Sequence, residues 1–292
     1  MIFHVVIPVF NRLPLTIRCL ESLIAQTDQG MDIVLIDDGS TDGTSEVIRQ
    51  RFPNVQVIAG DGTLWWSGAT NLGIRQALSV AAPDDYILLV NNDTFFEPDF
   101  LARCREAVKK YPKSLIGSVI VDPRDRRILQ GGIRINWYSA KHTWINLGKC
   151  IDDFPSGHIE TVSVVTGRGV LVPCETYREL GLYEDYYLEQ HGDTELARRA
   201  NLKGYPLLVD YGLLTYNSGY MSAALVTGYR SSELFKYLFG RSSKMRLRTR
   251  YWFAVKTAAN PVQGACYFVC DLGRILKNLL YHIRVGESAR QS

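Results

Sequence analysis

The chain has 292 residues, of which 46% are hydrophobic and 22% are charged, and its formal net charge is +3. This composition is typical of a folded globular protein whose core is large enough to be stable without disulfides. The six cysteines form no Cys-x-x-Cys pair and the five histidines show no paired spacing, which argues against a zinc site and favours reduced thiols. The first residues do not have the pattern of a signal peptide, and no run of 18 uncharged apolar residues predicts a membrane span.

Short apolar runs alternate with amphipathic segments over the first 121 residues. The runs predict strands at 3–9, 32–37, 55–59 and 86–91, and the segments predict helices after Pro14, at 44–50 and at 68–81. This alternation predicts an α/β protein with a parallel sheet wrapped by helices.

The pattern weakens between residues 122 and 161, which are rich in Asp, Arg, Gly, Asn and Trp. This stretch is either a long substrate loop or a set of short strands, and both interpretations stay open. Apolar runs return at 162–166 and 169–172, and a helix is predicted from Thr194 to Ala200.

Three acidic segments follow apolar runs, at 37–40, 91–94 and 192–195. In an α/β sheet such strand ends face the ligand crevice. Acidic groups that converge there suit a metal-bound phosphorylated substrate and a proton acceptor better than a core.

Several motifs together resemble glycosyltransferase family 2. Residues 5–12 and 36–42 (VVIPVFNR and IDDGSTD) resemble its opening, and 167–169 followed by 181–183 and 192–200 resemble its acceptor-side block. Residues 60–73 resemble a branch rich in bacterial polysaccharide enzymes, including rhamnosyltransferase-like members. The resemblance covers roughly residues 3 to 220 and implies the GT-A fold, with a Rossmann-like, mixed but mostly parallel sheet flanked by helices.

The resemblance implies that Asp38 accepts a hydrogen bond from the base of a nucleotide donor, and that Pro8, Phe10 and Arg12 line the same site. Asp38 also suits an Asx turn or a helix cap, a role that does not conflict with the first. Gly68 and Asn71 begin a predicted helix and are expected to bring backbone close to the donor sugar or its phosphates.

Asp93 falls at the metal motif of the family, with Asn91 or Asn92 in support. A carboxylate at a strand tip suits Mg²⁺ or Mn²⁺ bound together with substrate phosphates, although Asp93 also suits a plain turn or N-cap. The motif departs from the family because its first acidic position is asparagine, and Asn217 stands where many relatives have a metal-binding histidine.

Asp193 is the expected general base, which accepts the proton of an acceptor hydroxyl while the anomeric centre is inverted. A plain N-cap is the alternative role, and Glu189 and Glu195 are alternative carboxylates. The helix N-terminus is expected to keep Asp193 ionised. Gly192 stands where the family often has another acid.

Four further residues are candidates for contact with the sugar or the acceptor: Trp65, Trp66, Arg168 and His191. Tryptophan faces pack well against sugars, although tryptophans more often fill cores.

The C-terminal region combines a basic run at 241–250 with an amphipathic segment at 267–285. This suits a helix that lies on anionic lipid, or equally one that packs on the catalytic domain or forms a homodimer. We expect a catalytic domain at 1–235, with a nucleotide-binding half to about 121 and an acceptor half from 122, and a helical extension at 236–292.

The sequence thus predicts an inverting, metal-assisted glycosyltransferase that uses a UDP- or dTDP-linked sugar and a glycan or lipid-linked acceptor in surface polysaccharide synthesis. It is expected on the cytoplasmic face of the plasma membrane, with no nucleic-acid partner. The alternatives are a non-catalytic protein that binds sugar nucleotides or glycans, and a sugar-phosphate nucleotidylyltransferase.

Overall fold

A computed structural model describes residues 1–188, 191–217, 240 and 246–291. The described residues fall into two compact units, the first formed mainly by 1–134, 143–185 and 191–217, and the second by 135–142, 186–188 and 246–291. The predicted boundary at 235/236 and Glu189 lie outside the described residues.

The first unit is built on one mixed sheet. Its strands are β1 (Phe3–Val9), β2 (Met31–Asp37), β3 (Gln56–Ala59), β4 (Tyr86–Leu89), β5 (Leu115–Val121), β6 (Ile128–Gln130), β9 (Ile159–Thr161), β10 (Val170–Pro173) and β11 (Leu207–Tyr216). They lie in the order β3-β2-β1-β4-β10-β5-β11-β9, with β6 beside β5. Strands β3, β2, β1 and β4 are parallel, whereas β10 runs antiparallel to β4 and β5.

Helices cover both faces of this sheet. They are α1 (Leu13–Ile24), α2 (Thr44–Arg51), α3 (Trp65–Leu78), α4 (Phe100–Lys110), α5 (Cys174–Leu180) and α6 (Gly192–Leu202). One hydrophobic core lies between helices α1, α2 and α4 and the sheet face that carries the odd-numbered residues of β1. A second core lies between helices α3, α5 and α6 and the opposite face of the sheet, which carries Val6. Because both faces are covered, β1, β4 and β5 are apolar along almost their whole length, as buried parallel strands are.

The region from 122 to 161 contains short strands, so the second of the two open interpretations is confirmed. Besides β6 and β9 it holds the hairpin of β7 (Ile133–Asn136) and β8 (Lys141–Trp144), and a single 3-10 turn at Ile151–Asp153. Strand β9 covers Ile159–Thr161 and ends before the apolar run at 162–166. Its position is set by its antiparallel pairing with β11.

The second unit is mainly helical, with α7 (Leu247–Thr257) and α8 (Pro261–Gln291) packed on each other. Trp137 of the hairpin tip stacks on Phe253, and Tyr267 lies against both rings. Among the described residues, no helix combines the length and the apolar character needed to cross a bilayer.

Asp85 fixes the amino-terminal edge of the sheet, opposite the strand ends predicted to hold the site. Its buried carboxylate accepts hydrogen bonds from the backbone N–H groups of Ile2 and Ala82, at 2.6 and 2.8 Å, and contacts His4 Nε2 at 3.2 Å. Burial raises the pKa of Asp85, but these bonds lower it more, so the net pKa lies below the ordinary 3.8.

We expect Asp85→Asn to lower the free energy of unfolding at neutral pH by about 1–3 kcal/mol, since an amide cannot replace all these bonds to a buried carboxylate. Because the folded pKa is depressed, this contribution is present above the unfolded pKa and is lost as the pH falls through the folded value. Urea unfolding at several pH values measures it. The control is Asp84→Asn, whose side chain is 73% exposed; an equal effect of both variants would contradict the assignment.

Candidate active site

The carboxyl ends of β1, β2 and β4 and the amino end of the antiparallel β10 meet at one edge of the sheet. A cavity of about 670 Å³ lies there. Predicted residues that line it are Pro8, Phe10, Arg12, Asp38, Trp65, Trp66, Asn91, Asn92, Asp93 and Arg168. Val9, Asn11, Gly62 and Ala69 line it as well and were not singled out from the sequence.

Asp38 holds the loop that forms one wall of the cavity. One carboxylate oxygen accepts the N–H of Gly62 at 2.9 Å, and the other accepts the N–H of Trp65 at 3.0 Å. Trp65 has a φ of 55°, a left-handed conformation that costs a side chain about 1–2 kcal/mol. The hydrogen bond to Asp38 therefore helps to hold Trp65, a residue 39% exposed, where it borders the cavity.

The loop after β1 is fixed by the turn that follows β2. Asn11 and Arg12 have φ angles of 58° and 65°, and the Asn11 side chain accepts the N–H of Thr41 at 2.9 Å. Ser40 Oγ accepts the N–H of Asn11, and Asp42 accepts that of Leu13. These bonds aim the exposed Phe10 and Arg12 at the cavity. An Asn-Arg pair before a proline-started helix is the sequence signal for this turn, because asparagine tolerates left-handed backbone.

Trp66 forms the inner wall. Its indole N–H donates to Asn91 Oδ1 at 3.0 Å, and its ring lies 5.5 Å from that of Tyr183. A Cβ atom on Gly167 would meet the indole at 2.4 Å, so glycine is needed where this loop crosses Trp66. Trp65 is the more exposed of the two rings, whereas Trp66 acts mainly as a scaffold.

Arg168 lies at the cavity between two glycines that pack closely against neighbouring residues. Gly169 has a φ of 87°, and a Cβ there would meet Ser118 Oγ at 2.5 Å and Thr215 Oγ1 at 2.6 Å. Ser118 Oγ also donates to the carbonyl of Arg168 at 2.9 Å. The Gly-Arg-Gly motif thus has a structural reason. Its two glycines let the backbone pack closely against Trp66 and the sheet, and the arginine side chain between them lines the cavity.

We expect Gly167→Ala to displace Trp66 and to weaken the Trp66–Asn91 hydrogen bond. Overpacking of this kind costs about 1–3 kcal/mol of unfolding free energy. Thermal unfolding together with indole fluorescence measures both effects. Gly273→Ala is the matched control, because a Cβ at Gly273 meets nothing within 4 Å; unchanged fluorescence in Gly167→Ala would contradict the predicted contact.

Asp93 lies between two arginines. Its Oδ2 is 3.7 Å from Arg12 Nη1, and its Oδ1 is 3.8 Å from Arg168 Nε. Oδ1 is buried, and among the described residues it has no hydrogen-bond partner. Asn92 is turned towards α1, where its amide donates to Thr16 Oγ1 at 3.0 Å. Asp93 therefore has one carboxylate oxygen that accepts no hydrogen bond from the described residues, and two positively charged side chains lie close to it.

The Asp93 carboxylate suits a divalent ion, but the protein would supply few ligands to that ion. Among the described residues, no group of three or more His, Cys, Asp and Glu side chains is placed to hold a metal. The side-chain oxygen of Asn91 already accepts from Trp66. Mg²⁺ often binds through one or two carboxylates together with substrate phosphates, so Asp93 Oδ1 suits an ion that arrives with a diphosphate.

Asp193 lies in the first turn of α6 and is half-buried. Its Oδ1 accepts the N–H of Thr194 at 2.7 Å. Burial raises the pKa of Asp193, while the hydrogen bonds from Thr194 and the charge of Arg168 lower it by less. The expectation that the helix N-terminus keeps Asp193 ionised leaves out burial, which shifts the pKa in the opposite direction. Arg168 interacts with both Asp93 and Asp193.

Glu195 is already paired with an arginine of the same helix. It is buried and pairs with Arg199 through two bonds, at 2.8 and 2.9 Å, and Arg199 also donates to the carbonyls of Leu180 and Leu182. This pairing ties α6 to the chain before it and leaves Asp193 as the carboxylate of this helix that can accept a proton.

Besides Asp193, three predicted residues are not among those that line the cavity. Gly68 is buried under Leu64, and His191 is the residue before α6. Asn71 is buried, accepts the N–H of Tyr183 at 2.9 Å and donates to the Tyr183 carbonyl and to Asp185. Asn71 therefore joins α3 to the segment that leads to Asp193. Its partner is 112 residues away, and nothing local in the sequence indicates it.

The family of the chain is established by comparison. Residues 4–156, slightly more than half of the chain, match the model of glycosyl transferase family 2. The chain belongs to this glycosyltransferase family, so the predicted family and the predicted enzyme class are confirmed.

Two curated relatives refine the comparison. The chain is 24% identical over 206 residues to N-acetylglucosaminyl-diphospho-decaprenol L-rhamnosyltransferase of Mycobacterium tuberculosis, a match that covers 64% of this chain and 66% of the relative. It is 27% identical over 112 residues to glycosyltransferase GlyG of Streptococcus pneumoniae, covering 36% of that protein. The first match confirms the resemblance to rhamnosyltransferase-like members.

Solved structures confirm the GT-A fold. Staphylococcus aureus TarS residues 1–349 superposes with a TM-score of 0.59 at 14% identity, covering 94% of this chain and 72% of that one. The mannosyltransferase PcManGT of Pyrobaculum calidifontis, solved with GDP-Man and Mn²⁺, gives 0.56 at 15% identity, covering 98% and 73%.

Proposed function

We propose that this glycosyltransferase moves a sugar from a UDP- or dTDP-linked donor to a glycan or lipid-linked acceptor in bacterial surface polysaccharide synthesis, with inversion at the anomeric carbon. The observation that carries the proposal is the 670 Å³ cavity whose wall places Asp93 between Arg12 and Arg168. The similarity to an enzyme named for a diphospho-decaprenol acceptor supports the lipid-linked class.

The donor end of the cavity suits a nucleoside diphosphate. Arg12 and Arg168 supply two cations for the diphosphate, and guanidinium groups match phosphate geometry well. Asp38 and the loop at 60–65 border the place proposed for the base, and Phe10 and Trp65 offer exposed aromatic faces for base or sugar.

The chemistry is one displacement. The acceptor hydroxyl oxygen attacks the anomeric carbon, the bond from that carbon to the diphosphate oxygen breaks with its electron pair, and the hydroxyl proton passes to Asp193. A bound Mg²⁺ or Mn²⁺ would neutralise charge on the leaving diphosphate. Arg12 and Arg168 stabilise the same charge from the protein side.

Nucleotide release from a panel of UDP-, dTDP- and GDP-sugars, with lipid-linked and glycan acceptors, tests the function. Each reaction is run with Mn²⁺ or Mg²⁺ and with EDTA. We expect release from one donor that depends on the acceptor and falls when the ion is removed. Release that EDTA does not change would refute the role of the ion but not the transfer. Donor binding without release for any acceptor would refute the transfer itself.

Asp93→Asn separates the proposed ion ligand from the rest of the site. The variant keeps the shape of the side chain but removes the charge that holds the ion, so the Mn²⁺ concentration that gives half-maximal activity is expected to rise. Asp122→Asn is the control, because Asp122 lies at the end of β5 and pairs with Arg124. An unchanged Mn²⁺ requirement in Asp93→Asn would contradict the assignment.

A further inference from the structure

Helix α8 buries one face and exposes another within the described residues. Gln263, Tyr267, Asp271 and Ile275 recur every fourth residue and are buried. Tyr267 contacts Phe253 of α7, and Tyr251 of α7 lies edge-on against Phe268. Contacts among the described residues of this unit therefore account for one side of α8 only.

The other side of α8 is apolar although it is exposed. Six apolar residues fall on this side over four turns, namely Val262, Ala265, Cys266, Val269, Cys270 and Leu276, with the exposed Gly273 between the last two. Val262, Val269 and Leu276 are 69%, 66% and 58% exposed. Isolated apolar side chains on a surface are ordinary, but a continuous apolar stripe marks a docking surface. We call these six residues the α8 stripe.

The exposed charges of this helical unit, between residues 246 and 278, have one sign. Residues 246–278 carry six basic side chains, at Arg246, Arg248, Arg250, Lys256, Arg274 and Lys277. The one carboxylate of this range is Asp271, which is buried and lies 3.5 Å from Arg250. This helical unit thus combines the apolar stripe with basic side chains, of which Arg274 and Lys277 lie on α8 itself, and no acid between residues 246 and 278 is exposed.

This charge pattern decides between two occupants. A second copy of the chain would bring its own basic side chains against these, which opposes association. A surface of anionic phospholipid accepts the apolar side chains among its acyl chains and attracts the basic ones to its headgroups. This unit also exposes aromatic residues, such as Tyr251, and such side chains suit the interface between headgroups and acyl chains.

We propose that the α8 stripe, together with the basic residues of this helical unit, docks this glycosyltransferase on an anionic lipid bilayer. The inference deepens the proposed function, since it assigns to named residues the surface on which a lipid-linked acceptor is carried. This docking requires neither the nucleotide sugar nor the acceptor.

Co-sedimentation of the full chain with vesicles tests the proposal. We expect the protein to pellet with vesicles that contain phosphatidylglycerol, to remain in solution with pure phosphatidylcholine, and to be released by high salt, which screens the headgroup charge. No nucleotide sugar is present. Failure to bind lipid would therefore refute the docking surface and leave the transferase assay unaffected, and the reverse also holds.

Two variants separate the apolar and the basic contributions. Val269→Glu is expected to lower the partition coefficient at least about ten-fold, because a valine that enters the acyl region is replaced by a charge. Its control is Val80→Glu, since Val80 is 70% exposed in the other unit. Lys277→Gln is expected to lower the coefficient about five-fold, and Lys109→Gln on α4 is its control. Equal effects of a variant and its control would overturn the assignment.

Light scattering and thiol oxidation test the rival occupant. Cys266 and Cys270 are exposed on the α8 stripe, whereas the other cysteines are buried or half-buried. If a second copy covered the stripe, the protein would be a dimer, Val269→Glu would make it monomeric, and mild oxidation would join the two copies through these thiols. That outcome would overturn the lipid proposal. A monomer that pellets with anionic vesicles supports it.

Discussion

Asp193→Asn is expected to lower the rate of sugar transfer by about two to four orders of magnitude, the usual contribution of general base catalysis. Asparagine has the same shape and still accepts the N–H of Thr194, but it cannot take the proton of the acceptor hydroxyl. The dissociation constant of the donor is expected to stay unchanged, because Asp193 is not among the residues that line the cavity. Single-turnover transfer and isothermal titration with the nucleotide sugar measure the two quantities.

Stability provides the control for this variant. Burial raises the pKa of Asp193, so the folded state disfavours the ionised carboxylate at neutral pH. Removal of that charge should leave the melting temperature unchanged or slightly higher, and the lost activity then does not arise from unfolding. Glu195→Gln, which breaks a buried pair with Arg199, should instead lower the melting temperature. Transfer by Asp193→Asn within about ten-fold of the natural protein would show that another group is the base.

Arg168→Gln is expected to lower transfer by about two to three orders of magnitude, as the removal of a donor to a developing charge does. It should also change the pH profile. The charge of Arg168 lowers the pKa of Asp193, so without it that pKa rises and the acidic limb of kcat/KM moves to higher pH. Arg168→Lys keeps a positive charge and should keep the limb near its original position.

The matched control is Arg134→Gln, since Arg134 is an exposed arginine that pairs with Glu160 at 2.6 Å. It should leave both the rate and the profile unchanged. A slow Arg168→Gln variant with an unshifted limb would show that Arg168 acts on the leaving group alone and has no effect on Asp193.

The buried strands could be predicted closely from the sequence. The strand predicted at residues 3–9 is observed at Phe3–Val9, and that predicted at 32–37 is observed at Met31–Asp37. A strand covered on both faces is a nearly continuous apolar run, a pattern that is visible locally. The hairpin strand β8 has four exposed residues, Lys-His-Thr-Trp, and offers no such pattern.

The site shows the same division between local and distant causes. The acidic residues at the strand ends were predicted because their positions follow from the strands. The partners of Asp38 lie 24 to 27 residues away and that of Asn71 lies 112 away, so their hydrogen bonds depend on the folded arrangement. The pKa of Asp193 depends on burial by distant parts of the chain, whereas the helix terminus was the only local cause available to sequence reasoning.

The antiparallel strand β10 has a consequence for how the protein folds. Strands β4 and β5 are neighbours in the chain, yet β10, about 80 residues after β4, lies between them. A fragment that ends at Val121 would leave facing apolar edges of β4 and β5 without a partner, a state prone to aggregation. Closing the sheet needs a contact of high sequence separation, which slows folding. During synthesis, Asp93 and Arg168 can therefore meet only after residues 170–173 have left the ribosome and entered the sheet.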